Sequence, residues 1–337
     1  MKILAIETSC DETSVAVVEN GDKILSNLVS SQVEKHAKFG GVVPELASRM
    51  HTEKINLLLE NALDQADVSF KEINACAVTY GPGLEGSLLV GLSAAKTLAH
   101  TLNIPFIGIN HLHGHLYANF FNKHKPEFPF ICLIVSGGHT ILTLVEGHFK
   151  FKILGQTRDD AAGEAFDKIA RYLDLGYPGG PIIEKQALTG NELSFDLPKP
   201  MLKQGYEFSF SGLKTATIQT VQHFKKTHDN NINIPDICAS FQKTVIDLLL
   251  YKAFRACREH KIPTLVLSGG VIANKKLRDS FIKEASRQNI KLFSPEPEHC
   301  TDNASMIGTA AYYYFKQHGS HNLTLRVDPN ASMEDII

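Results

Sequence analysis

One pattern occurs twice in the 337 residues and restricts the fold more than any other feature: three short β-rich runs followed by a helix. The first copy takes residues 3–6, 14–18 and 23–29. It continues into 44–63, where Leu46, Met50, Ile55, Leu58 and Leu59 mark one apolar face. The second restarts near Phe128 with 130–135, 140–145 and 149–154, then the helical stretch 161–173. Further strand-to-helix steps follow at 75–79 into 87–102, at 104–109, and at 265–267. A repeated architecture with differing residues predicts an α/β fold of two lobes with an interlobe cleft. The expected division is 1–127 for the first lobe, completed by a C-terminal helix segment 303–337, and 128–302 for the second. The stretch 189–235, rich in Lys, Pro, Asn and Gly, reads as an insertion on the second lobe, and the tail after Gly319 as loosely structured.

The bulk numbers narrow the setting. An apolar share of 43% suits a soluble globular chain, and no apolar run reaches the roughly 18 residues a membrane span needs. Residues 1–6 enter a strand-like run at once, with no signal-peptide layout. The six cysteines have no C-x-x-C spacing, which speaks against a disulfide framework and for a reduced, cytoplasmic protein without a membrane partner. A net charge of −2 argues against a surface coated in positive field. A nucleic-acid partner would need a local cluster, and the one available is Lys275, Lys276 and Arg278 with Lys199 and Lys203.

Chemistry concentrates at strand ends. The segment Asn110-His111-Leu112-His113-Gly114-His115 places three histidines just after a strand. On a helix His111 and His115 share a face, and His113 points elsewhere. Two imidazoles on one face are half of a metal site, although the same residues also suit an ordinary polar helix start. Asp302 stands before the last helix, where it either caps that helix or completes the site as a carboxylate ligand. Two histidines and one carboxylate would leave open coordination positions, as catalytic centres do. The turns Ser136-Gly137-Gly138-His139 and Ser268-Gly269-Gly270-Val271 follow strands and suit an anion, or are plain connections. Asp159 and Asp160 fit the dipole of the following helix. Asp167, a turn further in, suits a ribose hydroxyl, and the stiff loop 176–181 a flat base. No G-x-x-x-x-G-K-[ST] loop is present.

The stretches IETSCDET, YGPGLEGSLLVGL, NHLHGHLYA, LIVSGGHT, DDAAGEAFDKIARYLDLGYPGGP, FSFSGLKTA, LSGGVIANKKLR and CTDNASM run from the first strand to the last helix. Together they closely resemble the TsaD (Gcp/YgjD) family. The resemblance implies an actin-like ATPase (ASKHA) fold with ribonuclease H-like duplicated lobes, in agreement with the doubled pattern. It implies transfer of a threonylcarbamoyl group from threonylcarbamoyl-AMP to N6 of the adenosine 3′ of the anticodon, in tRNAs reading ANN codons, with release of AMP. Matched by position, His111, His115 and Asp302 would be the ligands of one divalent metal, Fe2+ foremost and Zn2+ as the other option. ATP or an adenylate would occupy the interlobe cleft. Ile134, Val135, Ser136, Gly137, Gly138, Asp167, Gly180, Glu184 and Asn274 would contact the substrate adenylate. Many relatives carry aspartate where Glu184 stands. Asp11, Glu12 and His139 are the candidates for managing the proton, with ordinary turn chemistry as the other reading of the first two. The implied partners are tRNA, the paralogous TsaB and the ATPase TsaE. The tail departs from the Pro-Arg-Trp of many bacterial relatives, since the chain has no tryptophan.

Three other functions have to be weighed. A metallopeptidase of the H-E-x-x-H type needs a glutamate after its first histidine, and Leu112 stands there. A small-molecule kinase on the same fold would form ADP rather than AMP. A non-catalytic nucleotide-binding protein would convert nothing alone.

Overall fold

A computed structural model describes residues 1–121, 124–227 and 233–336. They form two compact units, one of Met1–Glu127, Glu146–Phe151 and Pro295–Ile337, the other of Phe128–Val145 and Lys152–Ser294. The first unit thus takes in 295–302 and the short segment 146–151, both of which the sequence division placed in the second lobe.

In chain order the first unit holds β1 (Lys2–Glu7), β2 (Glu12–Glu19), β3 (Lys23–Ser31), α1 (Val33–Ala37), α2 (Pro44–Ala66), β4 (Ala75–Gly81), α3 (Glu85–Leu102), β5 (Phe106–Asn110) and α4 (His111–Tyr117). The chain continues through β6 (Phe130–Val135), β7 (Thr140–Gly147), β8 (Lys150–Gln156), α5 (Ala162–Tyr172), α6 (Gly179–Ala187), α7 (Ser211–Thr227) and α8 (Ile234–His260). Then come β9 (Thr264–Ser268), α9 (Lys275–Gln288), β10 (Lys291–Phe293) and, back in the first unit, α10 (Ala304–His318).

β1 explains the first sheet. Its antiparallel register with β2 sets Leu4 against Val17 and Ile6 against Val15 on one face, and Ile3 against Val18 and Ala5 against Ala16 on the other. The first face joins a core with Ile55, Leu59 and Leu63 of α2 and Leu92 and Ala95 of α3. The second is covered by α10, whose Gly308 lies so close that a Cβ there would stand 2.7 Å from Val18 and 3.2 Å from Ala5. Both faces are therefore apolar, and the strand reads as a continuous hydrophobic run. β1 pairs parallel with β4, and β4 with β5, giving the order β3-β2-β1-β4-β5.

The second sheet has the order β10-β9-β6-β7-β8, with β6 antiparallel to β7 and parallel to β9. Read from β8, it is the topology of the first sheet over again. The 27-residue α8 packs into this unit, with Phe241 edge-on to Phe166 of α5 and Phe254 stacked on Phe281 of α9. Of the expected insertion, α7 and the start of α8 are ordered helix, and residues 228–232 lie outside the described residues.

The tail after Gly319 is pinned rather than loose. The Asp328 amide donates to Tyr80 O at 2.9 Å and Asn110 Nδ2 to Ser332 O at 2.8 Å, while Ala331 and Met333 are buried. Backbone groups and two isolated apolar anchors hold it, and neither gives a periodic sequence signal. Among the described residues no helix is long and apolar enough to cross a membrane.

Candidate metal centre and glycine-lined turns

The strand β5 ends at Asn110, whose side chain accepts the Leu112 amide at 2.9 Å and so starts α4 directly at His111. One helical turn separates His111 from His115, and their rings meet edge-on with centroids 4.6 Å apart. Gly114 permits the next step: a Cβ there would stand 2.6 Å from Ile307 and 3.1 Å from Met306, so α4 lies directly on α10. That contact brings the loop before α10 to the imidazoles. Asp302 Oδ1 is 3.2 Å from His115 Nε2 and 3.6 Å from His111 Nε2.

Asp302 does not cap α10. Asn303 is the N-cap, accepting the Met306 amide at 3.2 Å, and the carboxylate beside it faces the histidines. His113 points away, and its Nε2–H donates to Met333 O at 2.7 Å while the ring packs on Phe149 and Phe151. Burial pushes its pKa down to about 4, so it is neutral.

Ligand atoms of His111, His115 and Asp302 all lie within 4.8 Å of one another. Bonds of about 2.0–2.2 Å to a four-coordinate divalent cation hold its ligand atoms about 3.4 Å apart. The two histidine–carboxylate separations of 3.2 and 3.6 Å match that spacing, and the donor set suits a first-row metal with open positions.

A residue that the sequence did not single out stands behind this set. Glu7, at the end of β1, is fully buried, and its Oε2 is 3.1 Å from His111 Nδ1. Thr79 Oγ1 donates to the same oxygen at 2.5 Å, and the Ser9 amide to Oε1 at 2.6 Å. Burial, the largest influence, raises the Glu7 carboxyl, but the His111 charge and the hydrogen bonds from His111 and Ser9 together more than offset it and hold the group below the usual range. Burial lowers His111, and the charges of Asp302 and Glu7 more than offset this, pushing it up to about 9. Strand alternation is the signal that could have found Glu7: it follows Ile3 and Ala5 on the face toward α10, where a carboxylate must be partnered.

Asp11 and Glu12 belong to the same unit. Asp11 is buried, its carbonyl accepting the Gln32 amide at 3.0 Å, and Glu12 accepts Ser31 Oγ at 3.2 Å. In the metal-free chain desolvation first, then the charges of Asp302 and Asp11, push Glu12 up to about 10.

The remaining candidates lie in the second unit. Ile134 and Val135 are fully buried strand residues, so their side chains serve the core and only backbone is available to a ligand. Ser136 and His139 close a tight turn, with Ser136 N donating to His139 O at 2.8 Å and His139 N to Ser136 Oγ at 3.1 Å. A Cβ on Gly137, Gly138 or Gly180 would meet nothing within 4 Å, so these backbones border open space. Gly269 is different: its φ is +93°, and a Cβ would stand 2.4 Å from Val135 O. The two Ser-Gly-Gly turns therefore sit side by side at the C-terminal ends of parallel β6 and β9, where α/β sheets bind ligands.

Asp167 Oδ1 accepts the Gly179 amide at 2.7 Å, which ties α5 to the start of α6. The loop expected over 176–181 is thus half helix, since Gly179 and Gly180 open α6. Glu184 Oε1 accepts the Lys275 amide at 2.7 Å, and Asn274 caps α9 through Leu277 N at 2.9 Å while donating to Gln242 Oε1 at 2.8 Å. Asp159 caps α7 rather than serving α5, accepting Phe210 N at 2.8 Å and Ser211 N at 3.1 Å.

A family model described as TsaD, tRNA N6-adenosine threonylcarbamoyltransferase, matches residues 23–309. The tRNA N6-adenosine threonylcarbamoyltransferase of Clostridium perfringens is 50% identical over 329 residues, covering 97% of each chain. That of Dictyoglomus turgidum is 52% identical over 330 residues, 98% of each. Among solved structures, T. kodakarensis HypF shares 14% identity at a TM-score of 0.63, over 94% of this chain and 48% of that one. The likeness is one of fold, and the fold is the duplicated α/β plan of the actin-like ATPases. By sequence over nearly its whole length, this chain belongs to the TsaD family of tRNA N6-adenosine threonylcarbamoyltransferases.

Proposed function

We propose that this chain transfers the threonylcarbamoyl group from threonylcarbamoyl-AMP to N6 of the adenosine 3′ of the anticodon in tRNA, releasing AMP, in the cytoplasm. The observation that carries the reading, within a chain of this family, is the convergence of His111, His115 and Asp302 at the C-terminal end of the first sheet. A divalent cation held by these three, Fe2+ or Zn2+, supplies Lewis acidity toward the carbamoyl carbonyl. The chain's own residues orient and hold. The open backbones of Gly137 and Gly138 suit the adenylate phosphate, and Asp167 with Gly180, Glu184 and Asn274 suits its nucleoside. Attack by the adenosine amine on the carbonyl carbon forms the N–C bond and breaks the bond to the AMP phosphate oxygen. Asp11 is the candidate to accept the amine proton. Glu12, next to it at the start of β2, is the other candidate to manage that proton.

Partners supply the rest of the tRNA surface. Of the basic cluster, Lys276 is already paired with Glu192 at 2.9 Å and Lys199 with Asp247 at 2.7 Å. Two of the five cations are thus engaged in ion pairs, and a cluster this small fits dependence on TsaB and TsaE. The test is incubation with threonylcarbamoyl-AMP and unmodified tRNA, with and without those partners. Modified nucleoside and AMP should appear in equal amounts. Absence of the modified nucleoside in every combination would overturn the proposal, and ATP turnover to ADP on a small acid or sugar would favour a kinase.

A further inference from the structure

We infer that Glu7 is a positioning residue for the metal centre: it holds His111 with Nδ1 protonated and turned inward, so that Nε2 is the atom presented to the cation. The inference rests on reading His111, His115 and Asp302 as ligands. Its support is geometric. Glu7 is fully buried, yet both carboxylate oxygens are engaged, Oε1 by the Ser9 amide at 2.6 Å and Oε2 by Thr79 Oγ1 at 2.5 Å and by the His111 ring at 3.1 Å. Ser9 Oγ also stands 3.1 Å from His111 Nδ1, so that edge of the ring is bracketed by two oxygens. The opposite edge carries Nε2, which shares Asp302 Oδ1 with Nε2 of His115. Each imidazole thus offers the same nitrogen toward one point.

A carboxylate withdrawn from water costs several kcal/mol, of order, unless it is paired, so its retention at this spot calls for a partner that needs it. Histidine ligands characteristically donate their second ring N–H to such a group, which fixes the tautomer and makes the ligating nitrogen more basic. The β1 alternation aims Glu7 to the α10 face, and Thr79 at the end of neighbouring β4 locks its rotamer. Three parallel strands therefore converge on the orientation of one imidazole.

The experiment titrates the metal-free full chain with Co2+, following visible absorption and a competing chelator, for the wild type, Glu7→Gln and His111→Ala. Glu7→Gln is expected to bind about 10–100-fold more weakly, with a shifted d–d spectrum, as loss of such a partner does elsewhere. Wild-type affinity and spectrum in folded Glu7→Gln, with binding lost in His111→Ala, would overturn the Glu7 inference alone. Wild-type affinity in His111→Ala would instead overturn the ligand reading beneath it. If Glu7→Gln does not fold, 15N histidine NMR of the Zn2+-loaded wild type decides. A protonated Nδ1 and metal-bound Nε2 on His111 support the inference, and the reverse assignment ends it.

Discussion

The two units are built on one topology and end it with opposite chemistry. Order β3-β2-β1-β4-β5 in the first becomes β8-β7-β6-β9-β10 in the second, with the same antiparallel and parallel pairings where β1 and β6 meet their neighbours. At the C-terminal end of β1 stands Glu7, and beyond β5 stand His111 and His115. At the ends of β6, the counterpart of β1, and of β9, the counterpart of β4, stand Ser-Gly-Gly turns with little side chain at all. The first arrangement gathers side-chain lone pairs, the chemistry proposed above for a cation, while the second leaves open backbone at Gly137 and Gly138, the chemistry proposed for an anion. A shared sheet thus decides where a ligand can bind, and the residues just past each strand decide its charge.

The largest expected effect breaks one half and spares the other. His111→Ala should abolish both stoichiometric metal binding and threonylcarbamoyl transfer, yet leave adenylate affinity within about threefold, since the glycine turns belong to the second unit. Metal analysis and calorimetry with AMP measure the two halves separately. A parallel loss of AMP binding would show that the division of labour is wrong.

Gly269→Ala attacks the other half. A side chain at φ +93° and 2.4 Å from Val135 O must push the two turns apart, at a cost of about 1–3 kcal/mol. Urea unfolding should register this, with weakened AMP binding and unchanged Co2+ affinity. Unchanged stability would mean that the turns are not held together as described.

Legibility in the sequence differed along the same line. Strands such as β1 and β6 are short apolar runs bounded by polar turns, and their doubling gave the architecture without any structure. The α4 histidines were visible because a four-residue spacing has a single helical meaning. Glu7 and α8 were not. Glu7 lies in a crowd of hydroxyls and carboxylates, and only the fold shows that, with Ser9 beside it, it turns inward under His111. In α8, consecutive residues from Ile237 to Gln242 are all buried, so no stripe contrasts with a polar face. Asp302 was ambiguous for a related reason. Capping or ligation depends on whether it or Asn303 reaches the Met306 amide, a matter of backbone angles one residue apart.

The third prediction concerns pH and the first unit alone. In the metal-free protein burial is outweighed by the charges of Asp302 and Glu7, which push His111 up to about 9 from its ordinary 6.5, so its proton is bound more tightly in the folded chain. The stability this contributes is full below about pH 6.5 and is lost as pH rises through 9. The metal-free wild type should therefore melt a few degrees lower, by order of magnitude, at pH 9.5 than at pH 6.5, relative to His111→Ala measured in the same buffers. Because a ligating nitrogen must shed that proton, Co2+ affinity should climb over the same window. A flat affinity profile would contradict the Glu7–His111–Asp302 charge arrangement.

The smallest effects come from the two helix caps, one in each unit. Asn303 accepts the Met306 amide and donates to Thr301 O at 2.7 Å, and Asn274 accepts the Leu277 amide and donates to Gln242. Alanine at either should cost about 1 kcal/mol through loss of the cap. The binding consequences should part company. Asn303 braces the loop that carries Asp302, so Asn303→Ala should lower Co2+ affinity a few-fold, by order of magnitude, and leave AMP binding alone. Asn274 braces the start of α9 beside Glu184 and Lys275, so Asn274→Ala should weaken AMP and leave Co2+ untouched. Matched stability losses with crossed binding losses are what two copies of one sheet, given opposite ligands, require. Co2+ and AMP affinities that fell together in either variant would place both ligands under the control of a single element instead.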